Sequence, residues 1–243
     1  MDEAPLRRGK ETVHKKWDLN TGILSGDAML ILAYQLFENY EPLMFSELAK
    51  LFSKTALQVC EGQQYDVDFE TRMDVSITEY LKMIEYKTAV LLGAAMQMGA
   101  IVAEASDACK QNSYEFGKNI GIAFQLQDDY LDCFGDPENF GKQVGGDIIS
   151  NKKTYLYLTA LSNCNEKDKK RLVKLFSESP KDSSQKIIEV KKLYLESGAA
   201  KQSLEEIANF TKKANTIIEK LNINKSNKNL LRSFSDQLMN RKV

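Results

Sequence analysis

The stretch FQLQDDYLDCFGDPENFGKQVGGDIISNKK, residues 124–153, joins a helical pattern to a glycine-rich loop that carries lysines. Asp128 and Asp132 are four residues apart, so on a helix they lie one turn apart on the same face, with Asp129 to their side. Three carboxylates this close repel one another unless a cation joins them. Magnesium takes one or two protein carboxylates and bridges to phosphate oxygens, so the stretch predicts a Mg²⁺ site for a diphosphate.

The residues before the aspartates indicate that this site lies on a buried helix. At helical spacing, Gly117, Gly121 and Gln125 continue the strip of the aspartates, while the other faces of the segment are apolar. We expect the glycines to leave room beside the carboxylates, so that the polar strip faces a cavity inside a helical bundle. Three lysines follow in the loop and could close over the same anion: Lys142, Lys152 and Lys153.

The composition fits one substantial helical core. The chain has 243 residues, of which 43% are hydrophobic and 28% are charged, as in an ordinary globular protein. It has only 4 prolines and 13 glycines, and its apolar residues recur with a period of 3.6, so we predict an all-α fold. The net charge of −1 argues against a nucleic-acid partner.

The cysteines and the apolar segments bear on the location of the protein. None of the 4 cysteines is at metal-ligand spacing and no disulfide framework is implied, so a reducing, cytoplasmic setting is expected. The first residues show no signal-peptide pattern. The longest apolar run, residues 88–105, contains Gln97 and Glu104, which favours a buried helix over a transmembrane segment.

The apolar periodicity also predicts where the elements begin and end. Helices are expected over about residues 21–38, 43–61, 84–105 and 111–134. Loops are expected over about residues 62–75 and 135–152, with Ser76 and Glu79 as a possible capping box for the next helix. The remaining residues are predicted to be helical, with breaks near Asn165, Pro180 and residues 222–227.

Four ordered segments resemble the trans-polyprenyl diphosphate synthases, the family that includes farnesyl and geranylgeranyl diphosphate synthases. FQLQDDYLDCFGDP, followed by GK, GGD and NKK, is similar to the second aspartate-rich region of the family. RRGKETVH at 7–14 is similar to its RRG-x-P-x-x-H segment, with Glu11 where proline is usual, and ILSGDAML at 23–30 is similar to its GD helix. Lys87 and Thr88 match its K-T pair.

The resemblance spans nearly the whole chain and implies an isoprenoid-synthase-type helical bundle around a central cavity, formed as one domain by residues 1–243. The implied reaction is Mg²⁺-dependent prenyl transfer, in which an allylic diphosphate condenses with isopentenyl diphosphate to give a longer isoprenyl diphosphate. The implied metal ligands are Asp128, Asp129 and Asp132, with Asp2 on the other part of the metal cluster. A homodimer is expected, as is usual in the family.

The resemblance also implies which cations bind the two diphosphates. Lys87 and Lys142 would contact the diphosphate of the allylic substrate. Arg7 would bind the same diphosphate and Arg8 that of isopentenyl diphosphate, because guanidinium groups fit phosphate oxygens with two hydrogen bonds.

The remaining implied roles concern the loop and the allylic cation. Lys152 resembles a further loop lysine of the family, and Lys153 is the alternative assignment. Thr88 and Gln125 would face the allylic cation with oxygen dipoles. The departing diphosphate is the expected base, so no histidine is needed.

The chain departs from the family pattern at its beginning. The first aspartate-rich motif of the family stands just before RRG, whereas this chain begins inside that motif, with Asp2 where its last aspartate would be. We therefore expect a domain that is incomplete at the N-terminus, with uncovered apolar faces and little activity by itself. The alternative is a divergent protein that lacks half of its metal site.

Two other functions stay open at this point. One is a non-catalytic partner subunit of a heteromeric prenyl diphosphate synthase, which the absent first aspartates favour and the intact DDYLD, GK and KT segments disfavour. The other is a terpene cyclase on the same fold. The RRG segment and the loop lysines, which serve diphosphate condensation in the family, argue against it.

Overall fold

The computed structural model describes residues 4–7, 9–136 and 145–240, and the predicted all-α class is confirmed. The chain divides into two compact units, Met1–Leu51 and Phe52–Val243.

The first unit begins with a small β-hairpin. Strands β1 (Leu6–Arg7) and β2 (Lys10–Glu11) pair antiparallel, and Gly9 between them has a φ of 73°, in the left-handed region that glycine adopts readily. The sequence did not predict these strands, because two residues are too few to show an alternating pattern.

Two helices follow the hairpin in this unit. Helix α1 is Val13–Lys16 and helix α2 is Leu19–Gln35, close to the predicted 21–38. Helix α2 begins where the side chain of Asp18 accepts a hydrogen bond from the backbone N–H of Thr21 at 2.7 Å. The helix carries exposed leucine, isoleucine and methionine side chains.

Helix α3 (Pro42–Thr71) begins in the first unit and continues into the second. At its C-terminal end it extends ten residues beyond the prediction, because residues 62–71 are helical and not part of a loop. Their polar side chains cover a solvated face, where Gln64 hydrogen-bonds Asp68 one turn later at 2.8 Å, while Phe69 is buried. Only Gly62 and Phe69 are buried in this stretch, which is a weak pattern against so many polar residues and explains why the sequence suggested a loop.

The next segment contains an irregular turn at the predicted Lys-Thr pair. Helix α4 (Ile77–Ile84) begins with the predicted capping box, in which Ser76 and Glu79 hydrogen-bond each other's backbone N–H groups. A π-helical turn, Glu85–Ala89, follows, and helix α5 (Val90–Val102) continues from it. The helix predicted over 84–105 is therefore the π turn followed by α5, which ends at Val102.

Helix α6 (Asp107–Phe134) is the central helix of the second unit and includes the predicted segment 111–134. It packs along both α5 and a C-terminal helix. A methyl group added at Gly121 would lie 2.6 Å from Ala89 Cα, and one added at Gly117 would lie 2.5 Å from the Leu92 carbonyl oxygen. The expectation that these glycines leave room beside the carboxylates is wrong, because the space is filled by the backbone of the π turn and α5.

The remaining helices complete the core. They are α7 (Gly146–Ile149), α8 (Tyr155–Asn163), α9 (Glu166–Leu175), α10 (Ser184–Glu196), α11 (Ala199–Lys220) and α12 (Lys225–Met239). The predicted breaks near Asn165, Pro180 and residues 222–227 are confirmed. The main apolar cluster joins α4, α6 and α8–α11, and a smaller cluster joins α6 to α11 through Phe116, Ile120, Ala214 and Ile218.

The close approach of α6 to the π turn can be tested with two alanine substitutions. Gly121→Ala should lower the free energy of unfolding by about 1–3 kcal/mol, because the added methyl group overlaps Ala89. Gly99→Ala is the matched control, since a methyl group at this exposed position of α5 meets nothing within 4 Å. It should be neutral or stabilise by up to about 1 kcal/mol through helix propensity. Urea denaturation measures both values, and equal effects would contradict the proposed contact.

Candidate active site

The last two turns of α6 carry the predicted aspartates, and three other elements surround them. The C-terminal half of α3 contributes Asp66, the π turn contributes Lys87 and Thr88, and α7 with the turn behind it contributes Asp147 and Lys152. All of these elements belong to the second unit. The helices thus bring acidic and basic side chains from distant parts of the sequence to one end of α6.

Asp129 is the most deeply buried aspartate of the group, at 3% exposure. The hydroxyl of Tyr80 donates a hydrogen bond to its Oδ2, and the side-chain amide of Gln125 donates to its Oδ1 at 3.2 Å. Burial raises the pKa of Asp129, and the nearby charge of Asp147 raises it further. Burial and then the charge of Asp129 also raise the pKa of Tyr80, so the tyrosine stays a neutral donor.

Two hydrogen bonds orient the side chain of Gln125. The Gln125 amide donates to Asp129, and its carbonyl oxygen accepts a hydrogen bond of 3.3 Å from Thr88 Oγ1. Both predicted dipolar residues therefore belong to one network with Asp129. Both carboxylate oxygens of Asp129 have protein donors, and its metal-binding role stays a prediction, as do those of Asp128 and Asp132.

Asp132 joins α6 to the loop segment behind it. Its Oδ2 accepts a hydrogen bond of 2.9 Å from the backbone N–H of Asp147, and its carbonyl oxygen accepts one of 2.6 Å from the N–H of Gly145. Gly145 has a φ of 85°, and a methyl group added at Gly146 would lie 3.1 Å from Asp132 Oδ1. Glycine is therefore required where α7 begins against the carboxylate.

The two consecutive loop lysines have different partners. Lys152 Nζ lies 3.9 Å from Asp147 Oδ1, whereas Lys153 Nζ donates to the carbonyl oxygens of Phe69 and Glu70 at 2.8 and 2.9 Å, at the C-terminal end of α3. Burial alone lowers the pKa of Lys152, but the surrounding carboxylates outweigh burial and raise it. Lys152 therefore lies among the aspartates as a stable cation, and Lys153 caps a helix.

The π turn directs the Lys-Thr pair into the same network. Lys87 Nζ donates to Asp66 Oδ2 at 2.5 Å, and its neighbour Thr88 reaches Gln125. A methyl group added at Gly62 of α3 would lie 2.2 Å from the backbone nitrogen of Lys87, so α3 crosses the turn in direct contact. Such π turns are frequent at functional sites, where they re-aim side chains.

The sequence did not reveal two members of this site and did not show the contact that a third one makes. Asp66 was assigned to a loop, although Gly62 lies one helical turn before it and marks the face that meets the π turn. Tyr80 fitted the apolar stripe of α4 and gave no sign of its hydrogen bond to Asp129. Asp147 is the aspartate of the GGD segment, but its link to Asp132 depends on the loop conformation, which the sequence does not show.

Several predicted residues cannot be placed in this network. Asp2, Arg8 and Lys142 lie outside the described residues. Arg7 is an exposed residue of β1 in the first unit, and its role stays a prediction.

The donor set fits a hard divalent cation that also binds a phosphorylated ligand. Asp128 and Asp132 are both half-buried on the same face of α6, and carboxylate oxygens are the ligands that Mg²⁺ prefers. Within the described ranges, no three histidine, cysteine or acidic side chains are arranged to hold a metal by themselves. Magnesium does not need such a cage, because it retains waters and takes its other ligands from phosphate oxygens.

Known proteins match this chain at the level of sequence and structure. A family model described as polyprenyl synthetase matches residues 1–194. A solved structure of a geranylgeranyl pyrophosphate synthase is 55% identical, with a TM-score of 0.94, over 100% of this chain and 75% of that one. The short chain isoprenyl diphosphate synthase of Methanothermobacter thermautotrophicus is 36% identical over 195 residues, 80% of this chain and 60% of that one.

A third match includes bound molecules. The polyprenyl synthase of Caulobacter crescentus, solved with calcium and isoprenyl diphosphate, is 25% identical with a TM-score of 0.85, over 99% of this chain and 72% of that one. The chain spans about half to three fifths of the length of the first curated relatives that it matches. In the part of the chain that the structure describes, no helix is long and apolar enough to cross a membrane.

The hydrogen bond between Tyr80 and Asp129 predicts a measurable loss of stability. Tyr80→Phe should lower the free energy of unfolding by about 1–3 kcal/mol, because it leaves a buried carboxylate oxygen without that donor. Tyr157→Phe is the matched control, since Tyr157 is equally buried and its ring packs on Phe176. Thermal and urea denaturation at neutral pH compare the two variants. A Tyr80→Phe protein as stable as the Tyr157→Phe protein would show that the bond does not stabilise the fold.

Proposed function

This chain belongs to the polyprenyl synthetase family, and we propose that the protein condenses an allylic diphosphate with isopentenyl diphosphate to form a longer isoprenyl diphosphate. The observation that carries the proposal is the cluster of opposite charges beside the end of α6, where Lys87 pairs with Asp66 and Lys152 lies among the carboxylates of Asp147, Asp129, Asp66 and Asp132. A site with both signs of charge at one end of a buried helix suits a diphosphate that arrives with a divalent cation.

The similar proteins support this substrate class. The names of the geranylgeranyl and short chain isoprenyl diphosphate synthases describe products of this reaction, and the Caulobacter crescentus structure contains isoprenyl diphosphate with a divalent cation. We assign Asp128 and Asp132 to Mg²⁺, with Asp129 and Asp2 as further members of the predicted set. When bound, Mg²⁺ would neutralise charge on the diphosphate leaving group.

Ionisation of the allylic carbon–oxygen bond is the hard step, because it separates a carbocation from a diphosphate anion. Lys87 and Lys152 supply positive charge that stabilises the leaving diphosphate. Thr88 and Gln125 present oxygen dipoles that face the developing cation. The flanking apolar side chains of α4 and α6 exclude water, which would otherwise capture the cation.

The other predicted ligands complete the proposal. Lys142 and Arg7 are assigned to the allylic diphosphate, and Arg8 to the diphosphate of isopentenyl diphosphate, on the resemblance of their segments alone. A subunit that only assisted a catalytic partner would have no need for the network of Thr88, Gln125 and Asp129.

Neutralising one aspartate should separate catalysis from stability. Asp128→Asn, in the protein expressed from its natural gene, should reduce turnover by about 10²–10³-fold, because it removes a ligand of the leaving-group cation. The melting temperature of the metal-free protein should stay the same or rise, since one of several mutually repelling carboxylates is lost. The assay measures product from labelled isopentenyl diphosphate with dimethylallyl, geranyl or farnesyl diphosphate.

The control for this experiment lies on the same helix. Asp107→Asn changes a fully exposed aspartate in the first turn of α6 and should leave turnover unchanged. Normal magnesium-dependent turnover by Asp128→Asn would refute the assignment.

Substitutions of the two loop lysines should affect different properties of the protein. Lys152→Gln should reduce turnover and leave stability nearly unchanged, because the ammonium is assigned to the diphosphate. Lys153→Gln should leave turnover close to that of the wild type and lower the free energy of unfolding by about 1–2 kcal/mol, since it removes the two bonds to the end of α3. Steady-state kinetics and urea denaturation of both variants test the assignment. The reverse pattern would make Lys153 the functional lysine.

A further inference from the structure

Lys186 is a buried lysine that the proposed function does not use. It lies in α10 at 4% exposure, and its Nζ donates to Asn151 Oδ1 at 2.5 Å and to the carbonyl oxygen of Glu178 at 2.9 Å. The described carboxylates form no ion pair with it, and the ring of Phe176 lies 5.6 Å from its ammonium. Burial of an ammonium group among neutral partners costs free energy, so the presence of a lysine at this position needs a physical reason.

Asn151, the partner of Lys186, occupies the position where α7 ends. Its φ is 58°, and its backbone N–H donates to the carbonyl oxygen of Ile148 at 3.3 Å. The N–H of Lys152 donates to the carbonyl oxygen of Asp147 at 2.9 Å. Together these bonds form a Schellman motif, whose left-handed position is usually a glycine and sometimes an asparagine.

The Schellman motif determines where the side chain of Lys152 begins. It reverses the chain after α7, so that Lys152 returns to Asp147, the residue that accepts its backbone hydrogen bond and lies 3.9 Å from its ammonium. On the other side of Lys152, the side chain of Lys153 is bound to the end of α3. On the N-terminal side of Lys152, the side chain of Asn151 attaches the backbone to neighbouring residues in the same way.

Asn151 is attached through both ends of its amide. The Oδ1 atom accepts from Lys186, and Nδ2 donates to the Glu178 carbonyl oxygen at 3.4 Å and to Ser179 Oγ at 3.3 Å. A glycine would satisfy the backbone conformation but could make none of these contacts. The asparagine therefore adds an attachment of the turn to α10 and to the segment before it.

We propose that Lys186 is a positioning residue, which acts through Asn151 to hold the turn that places Lys152 at the diphosphate site. The inference rests on the proposed function and deepens it, because it identifies what preorganises one of its phosphate-binding cations. A lysine side chain has many rotamers, and fixing its backbone reduces the entropy that is lost when it binds an anion.

The test measures the binding of inorganic pyrophosphate with Mg²⁺ to the full protein by titration calorimetry. Lys186→Met and Asn151→Gly should each weaken binding roughly tenfold. Their melting temperatures should stay close to that of the wild type, because methionine fills the same volume and glycine suits the left-handed backbone. Lys192→Met is the matched control on the exposed side of α10 and should bind pyrophosphate like the wild type.

Two further variants separate positioning from a merely structural role. In a Lys152→Ala background, Lys186→Met should cause no further loss of affinity, because its effect passes through Lys152. Asn151→Asp keeps an acceptor for Lys186 and tolerates the left-handed backbone, so it should bind pyrophosphate nearly as well as the wild type. If Lys186 had only a structural role, the losses of pyrophosphate affinity would add and the melting temperatures would fall. Asn151→Asp would then not restore binding.

The outcomes distinguish this inference from the function on which it rests. If the wild type binds pyrophosphate with Mg²⁺ and Lys186→Met binds equally well, or if the losses add in the Lys152→Ala background, the positioning role is overturned while the proposed function stands. If the wild type itself does not bind pyrophosphate with Mg²⁺, the proposed function fails and the inference fails with it.

Discussion

The burial of carboxylates at the end of a core helix is the constraint on which the rest of the site depends. Asp129 is almost inaccessible to solvent, and a buried carboxylate without donors would be strongly destabilising. Tyr80 and Gln125 supply those donors from two helices, and Asp132 takes a backbone donor from the start of α7. The same donors fix the elements that carry them. The electrostatic requirement of α6 thus determines how α4 and α7 are placed around it.

Close backbone contact between the helices and the π turn allows these polar side chains to reach their hydrogen-bond partners. Gly121 brings α6 against the π turn and Gly62 brings α3 against the same turn, both at separations that exclude a methyl group. At these distances Lys87 hydrogen-bonds Asp66 and Thr88 hydrogen-bonds Gln125. Larger residues at either glycine would separate the helices, and the short polar side chains would no longer meet. Packing and chemistry are therefore set by the same positions.

The sequence predicted the features that lie within one helix and missed the contacts between different helices. Helical period, the capping box of Ser76 and the strip on α6 are readable because they follow from spacing along one element. The role of Asp66 requires α3 to continue through a polar segment, and that of Tyr80 requires α4 to cross α6. Neither contact leaves a periodic signal. The glycines were recognised as small residues, but spacing cannot tell a cavity from a neighbouring backbone.

The adjacent lysines of the loop show how environment assigns different roles to the same side chain. Burial lowers the pKa of Lys153, and the nearby charge of Glu70 offsets this only in part. Burial acts in the same direction on Lys152, yet Asp147, Asp129 and Asp66 reverse the sign and raise its pKa. The carboxylates around Lys152 favour its charged form, which suits a cation that binds a diphosphate. The turn at Asn151 leads into both lysines, and beyond it Lys152 lies beside Asp147 whereas Lys153 reaches the end of α3, so the path of the backbone gives the two adjacent side chains different environments.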